Sequence, residues 1–159
     1  MSYSADLLKT ADLLVKHTTK RPRQSDLKRA VSTCYYAMFH ALARLCADAL
    51  VGSPSPGRTE RAWRQVYRSV EHGNAAKRCT TLFRHGAGRG FPRAVVDFAE
   101  QFEPTMGERH GADYDPAYKA TKEDVSKLVA TTRSVITDLD DLDARDKRAF
   151  AVFVLFRER

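Results

Sequence analysis

Apolar residues recur along almost the whole chain at the spacing of an amphipathic α-helix, and no segment alternates like a strand. Proline and glycine interrupt this pattern at residues 20–23, 52–57, 85–90 and 115–116. The pattern predicts helices over about residues 5–18, 25–51, 59–71, 74–84, 91–114 and 121–140, with one more near the C-terminus. We therefore expect an all-α protein, an antiparallel up-and-down bundle of four to five main helices plus a C-terminal helix.

The second predicted helix is the longest, and it is apolar around much of its circumference. Ser25 is predicted to cap it, and Asp26 in its first turn suits the positive end of the helix dipole. One face carries Val31, Cys34, Tyr35, Met38, Leu42, Leu45, Cys46 and Ala49. Tyr36, Phe39, Ala43 and Ala47 extend the apolar surface to the side. Such a helix lies in the centre of a bundle or faces a second chain.

The last fifty residues contain a capping signal and an apolar tail. Thr121 and Asp124 form an acidic capping box that predicts the start of a helix. The uninterrupted apolar run 149–156 is too short to span a membrane and must either pack back on the bundle or contact a partner, and we favour packing back. We expect one domain over residues 1–159, with a core at about 5–142 and a tail at 143–159.

Charge and cysteine content narrow the classes of function. The 27 basic residues exceed the 20 acidic ones, and arginine outnumbers lysine by about two to one, which favours polyanionic or acidic partners. The chain has no apolar run of membrane-spanning length, and its first residues do not resemble a secretory signal. Its three cysteines fit neither a disulfide framework nor a zinc site. We expect a cytoplasmic protein that has no membrane partner, metal or cofactor.

Two short motifs resemble the HEPN superfamily, the higher-eukaryote and prokaryote nucleotide-binding domains. The first is Tyr-Tyr-Ala-x-Phe-His at residues 35–40, and the second is Arg-x-x-Ala-Asp-Tyr at residues 109–114. The resemblance covers roughly residues 24–140 and is greatest for small stand-alone bacterial members. It implies a helical bundle that commonly dimerises. Many members are metal-independent ribonucleases of toxin–antitoxin, CRISPR or phage-defence systems, and others are inactive partners of nucleotidyltransferases.

The resemblance also implies roles for particular residues. Arg109 would hold a phosphate, and His110 or His72 would move protons, because imidazole titrates near neutrality. Asp113 would orient this contact, and Tyr114 would stack or donate its hydroxyl. Arg61, Arg64 and Arg68 belong to a separate basic stretch, which is by default a solvated face and would follow the RNA backbone if the chain binds RNA.

A structural interpretation of the same residues remains open. Arg109 and Asp113 are four residues apart and could form an ion pair that only locks the bundle. His72, placed at the C-terminal end of the third helix and on one face with Arg68, could be a protonated cap. Of the family's Arg-x4–6-His spacing, the chain has only Arg78 and His85 beside the glycine-rich loop.

Two further groups of residues are expected to be structural. His40 is interpreted as a hydrogen-bonded core histidine, and the three cysteines as small packed hydrophobes.

Two functions follow from the sequence, and it does not decide whether the chain is an enzyme. The first is an RNA-binding effector or metal-independent endoribonuclease that uses no cofactor and acts as a homodimer, with a cognate antitoxin as its partner. The alternative is a non-catalytic HEPN module that pairs with a nucleotidyltransferase or another subunit.

Overall fold

Helices account for nearly all of the regular structure of the chain. The computed structural model describes residues 2–17 and 21–157, and this part of the chain contains α-helices and no strand. The helices are α1 (Tyr3–Lys16), α2 (Gln24–Val51), α3 (Glu60–Ser69), α4 (His72–His85), α5 (Arg93–Tyr114), α6 (Lys122–Asp140) and α7 (Ala144–Leu155), with a 3-10 turn at Ala87–Arg89. The predicted all-α bundle is confirmed. The predicted end of the first helix at Thr18 lies outside the described residues, as do Lys20 and residues 158–159.

Of the two positions that the sequence leaves open for α2, the centre of the bundle is the one observed. It packs against α1, α3, α5, α6 and α7, and sixteen of its residues are buried. Contacts between Ser32 and Asp113 and between Tyr36 and Arg109 show that α2 and α5 run antiparallel. The apolar surface of α2 is therefore covered by other helices of the same chain.

The core consists of two apolar clusters that meet along α2. The larger one includes Tyr35, Phe98, Phe102 and Phe150, all with no exposed surface. The smaller one packs α1 and α6 against the first half of α2. The three cysteines are free and buried as expected, and burial raises the pKa of the Cys34 and Cys46 thiols to about 12. They serve as packed hydrophobes.

The predicted cap of α2 at Ser25 is wrong, whereas the predicted cap of α6 is confirmed. Arg23 is the N-cap of α2 and makes no capping hydrogen bond through its side chain. The helix begins earlier because the Gln24 amide group donates to the Ala120 carbonyl at 2.8 Å and accepts from its N–H at 3.1 Å. At α6, the Thr121 hydroxyl accepts from the Asp124 N–H, as its capping box predicts.

An interruption between two helices corrects the predicted position of His72. Helix α3 ends at Ser69, two extended residues follow, and α4 begins at His72. The break occurs because Val70 turns into the core, where 5% of it is exposed. His72 therefore lies at the start of a helix, not at the end of one, and does not share a helix face with Arg68.

The apolar tail packs back on the bundle, as favoured from the sequence. In α7, Phe150, Phe153 and Val154 are buried. The Arg78 guanidinium stacks 3.8 Å from the centre of the Phe153 ring, and its Nε donates to the Phe153 carbonyl at 2.6 Å. Arg78 therefore anchors the tail. His85, which stands at the family's Arg-x4–6-His spacing from Arg78, is exposed. Within residues 2–17 and 21–157, no helix has both the length and the apolar character needed to cross a membrane.

Candidate functional site

Arg109 on α5 connects the two motifs that resemble the HEPN superfamily, because it belongs to the second motif and contacts Tyr36 of the first. Its Nη2 donates to the Tyr36 hydroxyl at 3.0 Å, and its Nε lies 2.9 Å from Oδ2 of Asp113. The guanidinium also lies 5.4 Å from the centre of the Tyr36 ring, within cation–π range. The side chain is only 16% exposed, so this pairing is better shielded from water than a surface ion pair. The predicted Arg109–Asp113 ion pair is present.

Asp113 is held from the opposite side by α2. The Ser32 hydroxyl donates to its Oδ1, so the carboxylate connects the two helices. Gly111, between Arg109 and Asp113, allows the Tyr118 ring to lie against α5, because a Cβ there would come within 2.7 Å of that ring. The glycine of the second motif is therefore needed for close packing.

His72 lies beside this arrangement, at the start of α4. Its Nδ1 is 2.6 Å from the Tyr35 hydroxyl, and its ring stacks on Phe39 with centroids 3.8 Å apart. Burial, followed by the positive charge of Arg109, lowers the pKa of His72 below its ordinary value. This is the reverse of the protonated cap expected from the sequence. The imidazole is neutral at neutral pH, and the residue is exposed to solvent.

A second histidine, His40, adjoins the same aromatic residues. Its Nδ1 is 2.6 Å from the Tyr67 hydroxyl, and Tyr3 packs edge-on against its ring at 4.8 Å. It makes the hydrogen bond expected of a core histidine but is only partly buried. Burial, with a further contribution from His72, lowers its pKa.

The sequence analysis missed the polar stripe that α2 contributes to this site. Ser32, Tyr36 and His40 are spaced four residues apart and therefore lie on one face of the helix. This four-residue spacing is the signal in the sequence that could have identified the polar stripe. Tyr35 and Tyr36 were instead interpreted as apolar residues of the helix, which concealed the role of their hydroxyls.

His110 and Tyr114 lie at the edge of the site. Both residues are exposed, and their rings are 6.0 Å apart. The Tyr114 ring also lies 5.7 Å from the Arg109 guanidinium, so it remains near the predicted phosphate-binding group. His110 follows Arg109 on the helix and points about 100° away from it. Of the three residues proposed as catalytic, the structure brings Arg109 and His72 together and leaves His110 at the rim.

The basic residues of α3 form a separate surface. Arg61, Arg64 and Arg68 line a shallow groove of about 620 Å³ together with Glu60, Gln65 and Ser69. All three arginines are exposed, and α3 has no buried residue. The opposite side of α3 rests on the bundle through Trp63 and Tyr67, whose rings stack 5.0 Å apart. These arginines form an exposed basic surface and are not part of the Arg109–His72 cluster.

The lowered pKa values of His40 and His72 predict how stability depends on pH. Each histidine binds a proton more weakly in the folded state than its unfolded value of about 6.5 allows. Their contribution to stability is therefore complete above about pH 6.5 and is lost as the pH falls through the folded values. The double variant H40Q/H72Q should lose less stability than the wild type between about pH 7 and pH 5 in urea unfolding. An equal loss in both proteins would contradict these shifts.

The arrangement brings together the Arg109 guanidinium, the imidazoles of His72 and His40 and several phenolic hydroxyls. Among the residues that the structure describes, no group of three or more His, Cys, Asp or Glu side chains is placed to hold a metal ion. Comparison with known proteins adds no assignment: no protein-family model, no curated protein and no solved structure matches this chain.

Proposed function

We propose that this chain is a HEPN-like RNA-binding effector that cleaves RNA without a metal ion at the Arg109–His72 cluster. The observation that carries the proposal is the meeting of the two motifs. Tyr36 binds Arg109 while the adjacent Tyr35 binds His72. The Arg109 guanidinium lies 5.7 Å from the centre of the Tyr35 ring, and its charge is close enough to lower the pKa of His72. Metal-free cleavage needs a cation for the phosphate and a group that moves protons.

The proposed reaction uses the 2′-hydroxyl of the RNA as the nucleophile. His72 with Nδ1–H donating to the Tyr35 hydroxyl has a lone pair on Nε2, which accepts the 2′-hydroxyl proton. The 2′-oxygen then forms a bond to phosphorus, and the bond from phosphorus to the 5′-oxygen breaks. The leaving 5′-oxygen takes a proton from His110 or water, and a 2′,3′-cyclic phosphate remains. Arg109 stabilises the negative charge that develops on the phosphorane oxygens.

The position of His72 on α4 suits this role. As the first residue of a 14-residue helix, it lies beside backbone N–H groups that attract anions. Its lowered pKa keeps it unprotonated at neutral pH, as a general base requires.

The direct test of the proposed activity is incubation of the purified protein with mixed-sequence RNA in EDTA. We expect fragments that end in a 2′,3′-cyclic phosphate. A product ending in 3′-hydroxyl, or the absence of cleavage in EDTA, would contradict the proposed reaction.

RNA binding is tested separately at α3. The triple variant R61Q/R64Q/R68Q removes three exposed cations, so we expect RNA affinity to fall by about tenfold or more and its salt dependence to become shallower. Fluorescence anisotropy with a labelled RNA, measured over a range of salt concentrations, gives both quantities. Replacing three exposed basic residues elsewhere, as in K9Q/K16Q/K127Q, is the control for net charge. Equal losses in the two triple variants would show that α3 is not a dedicated surface.

A second candidate function is a non-catalytic module that pairs with a nucleotidyltransferase or another subunit. The observation that favours it is the occupied state of Arg109, which already pairs with Asp113 and Tyr36. In that case Arg109 and His72 only connect helices, and the EDTA assay gives no cleavage while the protein co-purifies with a nucleotidyltransferase.

A further inference from the structure

A shallow groove beside the C-terminal helix is outside the site described above. It has a volume of about 610 Å³, is open to solvent and lies where α7 meets α4 and the residues before α5. We call it the α7 groove. Its lining residues are Arg78, Arg89, Phe91, Ala149, Val152, Phe153, Phe156 and Arg157. No residue of the Arg109–His72 cluster or of the α3 surface belongs to it.

The floor of the α7 groove is apolar and partly exposed. Val152 and Phe156 are four residues apart and are 44% and 58% exposed. Phe91, which also lines the groove, packs edge-on against Phe153 with ring centroids 5.6 Å apart. Adjacent exposed apolar side chains of this kind are typical of protein interaction sites.

The rim of the α7 groove is positively charged and partly preorganised. Arg78 stacks on the Phe153 ring and donates from Nη2 to the Phe156 carbonyl at 3.0 Å, which holds its guanidinium in place. The Arg89 guanidinium lies 5.7 Å from the same ring, and Arg157 completes the rim. Among the lining residues that the structure describes, three are arginines and none carries a carboxylate. An arginine held on an aromatic face can pair with a carboxylate at a reduced entropic cost.

We propose that the α7 groove binds an acidic, amphipathic segment of a partner protein. Apolar side chains of that segment cover Val152 and Phe156, and its carboxylates pair with Arg78 and Arg157 of the rim. The net charge of +7 favours the approach of an acidic partner over a basic one. A polar RNA strand would leave the apolar floor uncovered, which makes it the poorer occupant. This inference does not depend on the proposed RNA cleavage.

The test uses a synthetic acidic peptide and amide chemical shifts of the ¹⁵N-labelled protein. The probe is a helix-forming peptide of about 14 residues with Leu and Phe on one face and Glu and Asp beside them. One control peptide has Ser in place of Leu and Phe, and the other has Gln in place of Glu and Asp. We expect shift changes at Val152, Phe153 and Phe156 with the probe and much smaller changes with either control.

Variants distinguish binding of the probe in the α7 groove from nonspecific binding to other exposed apolar side chains. The double variant V152S/F156S should weaken binding of the probe by about tenfold or more, because it removes the exposed apolar floor. Leu13 on α1 is 66% exposed and provides the matched control L13S, which should bind like the wild type. R157E should also weaken the probe while leaving the fold intact.

Several outcomes would overturn the proposal. Absence of shift changes with the probe at millimolar concentration would do so, as would changes confined to α3. Changes in the α7 groove that appear with protein concentration alone would assign it to a second copy of the chain. Stronger perturbation of the groove by an RNA oligonucleotide than by the probe would assign it to nucleic acid.

Discussion

Replacing Arg109 by glutamine is expected to lower the rate of RNA cleavage in EDTA by about 10²–10³-fold, provided that the chain has the proposed activity. The guanidinium is the one cation that the two motifs place beside His72, and glutamine cannot neutralise a phosphorane. The variant should keep most of its RNA affinity, because the exposed arginines of α3 remain. The measurement is the single-turnover rate of cleavage, with RNA binding followed in parallel.

A matched ion pair on the same helix provides the control. Arg93 pairs with Asp97 at the same four-residue spacing, with Nε 2.6 Å from Oδ1, but its side chain is 82% exposed. R93Q should cleave RNA at the rate of the wild type. Loss of activity in both variants, or retention of activity in R109Q, would remove Arg109 from the proposed chemistry.

The pH profile of cleavage distinguishes a catalytic role of His72 from a structural one. As a base, His72 acts only when unprotonated, so the rate should rise with pH through its lowered pKa and then level off. R109Q removes a positive charge that lowers this pKa, so the residual activity should rise at a higher pH than in the wild type. A profile that does not move would argue that Arg109 and His72 are linked only through packing.

Replacing Phe102 by alanine is expected to destabilise the fold by about 3–5 kcal/mol. Phe102 has no exposed surface and lies between Phe98, at 5.9 Å between ring centroids, and Tyr35, at 5.7 Å. The substitution leaves a cavity under Tyr35, the residue that holds His72. Urea unfolding followed by circular dichroism measures the loss.

Two further variants keep this prediction testable if F102A does not fold. F102L retains most of the volume and should cost less than F102A. L13A changes an apolar side chain that is 66% exposed, and it should alter stability by no more than about 0.5 kcal/mol. A loss below about 1 kcal/mol for F102A would contradict the packing described for this part of the core.

The helices could be predicted from the sequence because each depends on local periodicity and on breakers. The apolar spacing of α2 and α6 and the capping box at Thr121 are properties of neighbouring residues, and the structure confirms them. The start of α2 could not be predicted in the same way. It depends on the hydrogen bonds between Gln24 and Ala120, which are 96 residues apart in the chain.

In the candidate site, too, features set by neighbouring residues could be predicted, and features set by long-range contacts could not. Arg109 and Asp113 were identified because their spacing of four residues is a local property of one helix. The role of His72 was misjudged because the break at Val70 is a consequence of burial, which a helical period cannot show. Tyr35 and Tyr36 appeared apolar in the pattern, and only the tertiary contacts show that their hydroxyls bind His72 at the start of α4 and Arg109 on α5.

The sequence by itself determined that the chain forms helices, where most of them begin and end, and which one is apolar around most of its circumference. These features follow from the spacing of apolar residues and from capping, which act over a few residues. Only the tertiary structure decided which polar groups meet, because the hydrogen bonds of Tyr35 with His72 and of Tyr36 with Arg109 join residues 37 and 73 positions apart and depend on how buried faces pack. That packing lowers the pKa of His72 and places it beside Arg109, and it leaves the α7 groove exposed.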